Sequence, residues 1–249
     1  MNLQTFSRFF VVCAILAVAF AATAETRVLL VGDSWAAGML GFQAFEKALA
    51  EVDEEAVVAG ATTAIGGSRA DQWAANHDGK LDTLREALAD PLDVVVISLG
   101  GNDLLRAALA GQIETEAQRA ALLTQVTRDL GILLDAIQGA SQGMQVVIIG
   151  YDYIDPERMR ETYGMEFPEK SAENLDLALD ELEDARHAFA NAREGVLFAR
   201  NLGLLRATYG PEAPAAMPDG VHPSPEAYQL IAARAWEMVS WLLEQELAG

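Results

Sequence analysis

The sequence predicts an α/β protein: a mostly parallel, five-stranded sheet with helices on both faces. Two observations carry this. Short β-branched apolar runs alternate along the chain with longer segments of helical period, the pattern of repeated strand–helix–strand units. The strongest run, Val94-Val95-Val96-Ile97, is apolar at successive rather than alternate positions, as expected of a strand buried on both faces.

Thr26 to Val31 reads as the first strand and Ala36 to Ala50 as the helix after it, rich in alanine and long apolar side chains. Ala56 to Val58 is a short strand. Gly60 to Asp71, built from small residues and containing Gly66-Gly67-Ser68, reads as a loop. Lys80 to Ala89 is helical, Asp93 to Leu99 is the third strand, and Leu104 to Ala110 and Thr115 to Gln138 are helices. Gln145 to Ile149 is the fourth strand. Tyr151 to Lys170, with Pro156, Pro168 and several aromatics, reads as a long surface loop near the site. In Glu173 to Asn191, Leu175, Leu179, Leu182 and Phe189 recur at helical spacing opposite an acidic face. Val196 to Ala199 is the last strand. Ser224 caps a closing helix with Pro225 at its first position, a pairing favoured at helix N-termini.

The chain has 249 residues and is 51% hydrophobic, enough for one well-buried domain. Residues 1–24 are set apart from it. A polar start with one positive charge leads into the apolar run Phe9 to Phe20 and then Ala22-Thr23-Ala24, the order of a secretory signal peptide cut before Glu25. A bilayer span needs about 20 apolar residues, so the run is short for a transmembrane anchor. The expectation is a signal peptide over 1–24, a domain over 25–249, and a periplasmic or secreted protein with no stable membrane anchor once the signal is cut. Cys13 lies in the leader and is the only cysteine, which excludes disulfides, thiolate metal sites and a cysteine nucleophile from residues 25–249. The formal net charge of −20 argues against nucleic-acid partners and against attraction to anionic membranes. Oligomeric state is not legible.

The chemistry sits at predicted strand ends. Gly32-Asp33-Ser34 follows the first strand, Gly66-Gly67 the second, and Gly100-Gly101-Asn102-Asp103 the third; Asp219-Gly220-Val221-His222 comes just before the last helix. Open parallel sheets bind ligands outside the carboxyl ends of their strands, so these segments are expected to converge. Together they supply the parts of acyl transfer: Ser34 as nucleophile, His222 as general base and then acid, and Asp219 to orient the imidazole. Backbone N–H groups of Ser34 and Gly67 and the side-chain amide of Asn102 would meet the oxyanion. Asp33 and Asp103 are expected to brace their loops, His77 beside Asp78 to lie in an exposed turn, His187 to be solvated, and Trp73, Trp236 and Trp241 to belong to the core. No cluster has convincing metal-ligand spacing and no glycine-rich phosphate loop is present.

These blocks, in this order, resemble the GDSL or SGNH serine hydrolases over essentially all of residues 25–249. Gly32-Asp33-Ser34 matches the first family block, Gly67 (or Gly66) the second, Gly100-x-Asn102-Asp103 the third and Asp219-x-x-His222 the last. Val96 to Asp103 and Asp219 to Pro223 look most like the exported bacterial thioesterase/lysophospholipase branch. The resemblance implies a three-layer α/β/α, flavodoxin-like fold and metal-free, cofactor-free hydrolysis of small acyl esters or thioesters. Alternatives are a carbohydrate O-acetyl esterase, an acyltransferase using the same residues, and a catalytically silent acyl- or glycan-binding protein. Trp35 stands where the family usually has leucine, and its bulk predicts a narrow acyl site and a preference for short chains.

Overall fold

The structure is a computed structural model and describes residues 26–52, 56–140 and 144–248. The leader lies outside the described residues. Five strands form one parallel sheet in the order β2-β1-β3-β4-β5: β1 Thr26–Gly32, β2 Ala56–Ala59, β3 Val94–Ser98, β4 Gln145–Ile149 and β5 Val196–Ala199. Every residue of β3 and β4 is buried, which is why both read as unbroken apolar runs. The edge strand β2 is half exposed, with Val57 open to solvent.

The helices follow in chain order: α1 Ser34–Gly41, α2 Ala44–Ala50, α3 Ala70–Ala74, α4 Lys80–Ala87, α5 Gly101–Leu109, α6 Glu116–Ala140, α7 Pro156–Tyr163, α8 Glu169–Asn191, α9 Leu204–Tyr209 and α10 Pro225–Ala248. One layer contains α1, α2 and α10, packed on one another; α3 to α6 and α8 pack together to form the other. The expected helix over Ala36 to Ala50 is two helices. Gln43 takes a left-handed conformation (φ 54°) between them and turns the chain. The expected surface loop over Tyr151 to Lys170 contains α7 and the start of α8. Asp155 caps α7 by accepting from Arg158 N, with Pro156 behind it at the first helical position. Ser224 caps α10 as expected, its Oγ accepting from Ala227 N.

The chain runs from β1 to β2 on one side and returns to β3 on the other, so the strand order reverses between the carboxyl ends of β1 and β3. That crevice is where an open parallel sheet can take a ligand. Gly32 closes the pairing there, in register with Ser98. Its φ is +138°, and a Cβ would lie 2.0 Å from Ser98 O, so no other residue fits.

Candidate active site

Ser34 is the first residue of α1, at the end of β1. Asp33 caps the helix, its carboxylate accepting from Trp35 N at 3.0 Å. The remaining Asp33 contacts come from below: Ser98 Oγ donates at 3.0 Å and Tyr151 Oη at 2.5 Å. Burial pushes the Asp33 carboxyl up, against the opposing pull of these three bonds. Beneath Tyr151 lies a wholly buried pair, Arg186 and Glu183 of α8. The guanidinium sits 4.7 Å from the Tyr151 ring centroid and donates to Leu99 O and Ile149 O, the last residues around β3 and β4. Glu183 accepts from Tyr151 N at 3.1 Å. The site rests on a hydrogen-bonded floor rather than on side chains in contact by chance.

The loop before α10 brings the acid and the base. His222 Nε2 lies 2.9 Å from Ser34 Oγ, and His222 Nδ1 lies 2.7 Å from Asp219 Oδ2. A carboxylate only accepts, so the ring proton belongs on Nδ1 and Nε2 is left to accept from the serine hydroxyl. Asp219 Oδ1 takes the backbone N–H of Val221 and of His222, and Oδ2 also accepts from Tyr163 Oη at 2.5 Å. Burial alone would raise the Asp219 carboxyl; bonds from Tyr163, from the two backbone groups and from the imidazole hold it down at about 2. Its charge is therefore fixed across neutral pH. Trp35 is buried, and its indole N–H donates to Val221 O at 2.9 Å, which ties the His222 loop to α1.

Of the oxyanion candidates, Asn102 lines the crevice beside Ser34, and the loop that carries Gly67 is tied to Asn102 and to the end of β1. The loop after β2 is pinned to β1: Ile65 N and Ser68 Oγ both donate to Gly32 O. Gly67 sits within it at φ +73°. Asn102, in the first turn of α5, donates one amide hydrogen to Ser68 O at 3.1 Å, leaving its second hydrogen for another acceptor. Asp103 ties the same loop by accepting from Ala70 N at 2.9 Å, and burial raises its carboxyl to about 6.

A cavity of about 20 Å³ opens at Ser34, walled by Trp35, Asn102, Leu105, Tyr151, Ile154 and Val221 among others. A second, of about 550 Å³, lies between the segment after β4, the start of α8 and the Gly210–Ala216 turn. Asp152 and Ile154 line both.

The structure thus brings Ser34, Asp219 and His222 into contact and ties Asn102 to the Gly67 loop. His77 pairs with Asp78 on the surface, and His187 is exposed on α8 beside Asn191. Asp33 and Asp103 brace their loops, and Trp73 and Trp236 are buried. Trp241 corrects the reading of it as core: it is 54% exposed, on the outward face of α10. The sequence reading missed Tyr151 and Tyr163. Neither carries a motif; both meet the site through tertiary packing. Among the described residues, no group of three or more His, Cys, Asp or Glu could hold a metal ion, and no helix is long and apolar enough to cross a membrane.

A nucleophile bonded to a base, a base bonded to an oriented carboxylate, and amide donors beside them define a serine hydrolase class of site. The chain belongs to the GDSL-like lipase/acylhydrolase family, whose profile matches residues 30–230. That membership makes it an ester-bond hydrolase acting on small ester substrates. No curated protein matches in sequence. Among solved structures, the fold is similar to a protein described as an SGNH hydrolase from Slackia heliotrinireducens, with 24% identity, a TM-score of 0.57, and 86% of this chain and 99% of that one covered. It is also similar to the extracellular lipase of Streptomyces rimosus, at 18% identity and TM-score 0.56 over 86% and 100% of the two chains. A carbohydrate esterase family 3 protein from Talaromyces cellulolyticus matches at 15% identity and TM-score 0.55 over 89% and 99%.

Proposed function

We propose that this hydrolase cleaves esters of short acyl chains through an acyl-enzyme on Ser34. One observation carries the reading: the Ser34–His222–Asp219 contacts of 2.9 and 2.7 Å open onto a pocket of only about 20 Å³. Ser34 Oγ attacks the carbonyl carbon while His222 Nε2 takes its proton. Asp219 holds the imidazole tautomer and balances the charge that the ring acquires. The carbonyl oxygen gains negative charge toward the amide of Asn102 and the backbone N–H groups of Ser34 and Gly67, which lower the barrier by stabilising the anion. His222 then returns the proton to the leaving alcohol, and water repeats the sequence in reverse to free the acid.

The small pocket, walled by Trp35 and Leu105, leaves little room for more than the shortest acyl chain, whereas the adjoining 550 Å³ cavity gives a bulky alcohol room to sit. An O-acetylated sugar meets both conditions and is the second reading. Residues 1–24 support export, with work in the periplasm or outside the cell.

The test is a rate panel of p-nitrophenyl esters from acetate to palmitate with wild type and Ser34→Ala. Acetate is expected to be fastest, and Ser34→Ala to lose at least about 10³-fold in kcat. Equal rates for the two proteins would overturn the nucleophile; a palmitate optimum would overturn the short-chain reading. Product analysis with added acceptor alcohols separates hydrolysis from acyl transfer.

A further inference from the structure

The segment that the sequence reads as a long surface loop near the site is fastened to the acid–base loop at three points. Asp155 N donates to Gly220 O at 2.9 Å. Gly220 has φ +88°, and a Cβ there would lie 2.6 Å from Asp155 O, so this close approach requires glycine. Arg158 Nη1 donates to Pro214 O at 2.7 Å, holding the turn that leads into the loop. The third point is Tyr163, the last residue of α7, where Gly164 ends the helix in a left-handed conformation. Its hydroxyl lies 2.5 Å from Asp219 Oδ2 and 3.4 Å from His222 Nδ1.

Oδ2 is the same oxygen that receives the imidazole proton, while Oδ1 is filled by two backbone donors. Four donors therefore divide one carboxylate. A phenol that donates to a carboxylate withdraws negative charge from it, so the imidazole competes with Tyr163 for what remains. In return the carboxylate pushes the Tyr163 hydroxyl up to about 12, so it stays a donor throughout the working pH range.

We propose that Tyr163 is a positioning residue for the general base: α7 carries its hydroxyl onto Asp219 Oδ2, where it sets how strongly Asp219 holds the His222 ring proton. The proposal rests on the reading of Ser34, His222 and Asp219 as the reacting set. It makes α7 a working part of the site and extends the hydrogen-bonded chain from three residues to four. Weakening the carboxylate's hold favours the neutral imidazole, the form that accepts the serine proton, and extends activity toward acid. The other titratable groups around this cluster are Tyr228 of α10, whose hydroxyl lies 3.4 Å from Ser34 O, and Asp33 beneath α1. Burial, Asp33, Asp219 and, last, Tyr163 raise the Tyr228 hydroxyl, so it remains a neutral phenol in Tyr163→Phe; Tyr163 is not among the groups that act on Asp33.

The variant is Tyr163→Phe, which keeps the ring and removes only the hydroxyl; at 46% exposure the position tolerates it. Two readouts are taken on the full chain. The first is the low-field proton resonance of the imidazole N–H bonded to Asp219, assigned by its loss in Asp219→Asn. It is expected to move downfield in Tyr163→Phe, since the carboxylate is no longer shared. The second is the acid limb of the kcat/KM profile for p-nitrophenyl acetate, expected to move to higher pH. An unchanged urea midpoint shows that the fold is intact. An unmoved resonance together with an unmoved acid limb overturns the proposal, and so does a loss of kcat alone, which is what mere loosening of α7 would produce. If Ser34→Ala keeps wild-type activity, the reacting set itself is wrong, while the resonance comparison still decides the role of Tyr163.

Discussion

Replacing Trp35 with leucine, the residue usual in the family, is expected to cost stability and to lengthen the preferred acyl chain at once. The indole is 2% exposed, and its N–H bond to Val221 O contributes about 1 kcal/mol. Its edge-on contacts with Tyr151 (centroids 5.0 Å apart) and Tyr228 (6.2 Å) each contribute about 0.5–1 kcal/mol. The volume left behind costs about 1–2 kcal/mol more, depending on how far Leu105 and Tyr151 relax into it. Trp35→Leu should therefore lose about 3–5 kcal/mol in urea denaturation at unchanged m-value. The same volume adds to a pocket of about 20 Å³, so the p-nitrophenyl ester optimum should move from acetate to butyrate or longer. The acetate rate should also fall, because Val221 precedes His222 and loses its tether to α1. A stability loss below about 1 kcal/mol would refute the packing argument. A full stability loss with the optimum still at acetate would refute the claim that Trp35 sets chain length.

Asn102→Ala should lower kcat by about 10²–10³-fold with little change in KM, measured on p-nitrophenyl acetate, since the lost donor acts on charge that develops only in the transition state. Asp103 predicts a pH effect on stability. Its carboxyl is raised to about 6 by burial, so between about pH 4 and 6 the folded state holds a proton that the unfolded state has released. This group therefore costs stability as pH rises through that window, up to about 3 kcal/mol when fully ionised. Urea midpoints at pH 4 and pH 7 should show a fall in wild type that is smaller in Asp103→Asn, where the amide oxygen can still accept from Ala70 N.

The parts of this molecule that were legible in the sequence are those whose cause is local. Val94 to Ile97 and Val146 to Ile149 read as buried strands because a strand covered on both faces needs apolar side chains at every position. Ser34, Asn102, Asp219 and His222 read as a set because parallel strands deliver their ends to one edge. Elsewhere the cause is tertiary. The kink at Gln43 is held by packing, Phe42 stacking on Tyr228 at 5.8 Å, and glutamine gives no warning of a left-handed turn. Helix α7 carries its own signals, the Asp155-Pro156 start and the Gly164 stop. It has almost no apolar stripe, however: of its eight residues only Met159 is buried, so periodicity is silent. Tyr163 becomes visible only when α7 is laid against Gly220. Trp241 misled because bulk and apolarity favour the interior on average without requiring it.

The ion pair sealed beneath Tyr151 constrains how this enzyme can change. Glu183 and Arg186 occupy one turn of α8, yet they tie down the ends of two neighbouring strands and the tyrosine that steadies Asp33. A drift at either position strands its partner's charge in a dry interior, so the two can be exchanged only together, and then only with a new way to carry Tyr151. Helix α8 resembles an amphipathic cover that many sequences could replace, but that one turn makes it a foundation, and grafts that import this helix from a relative must bring their own supports for the nucleophile.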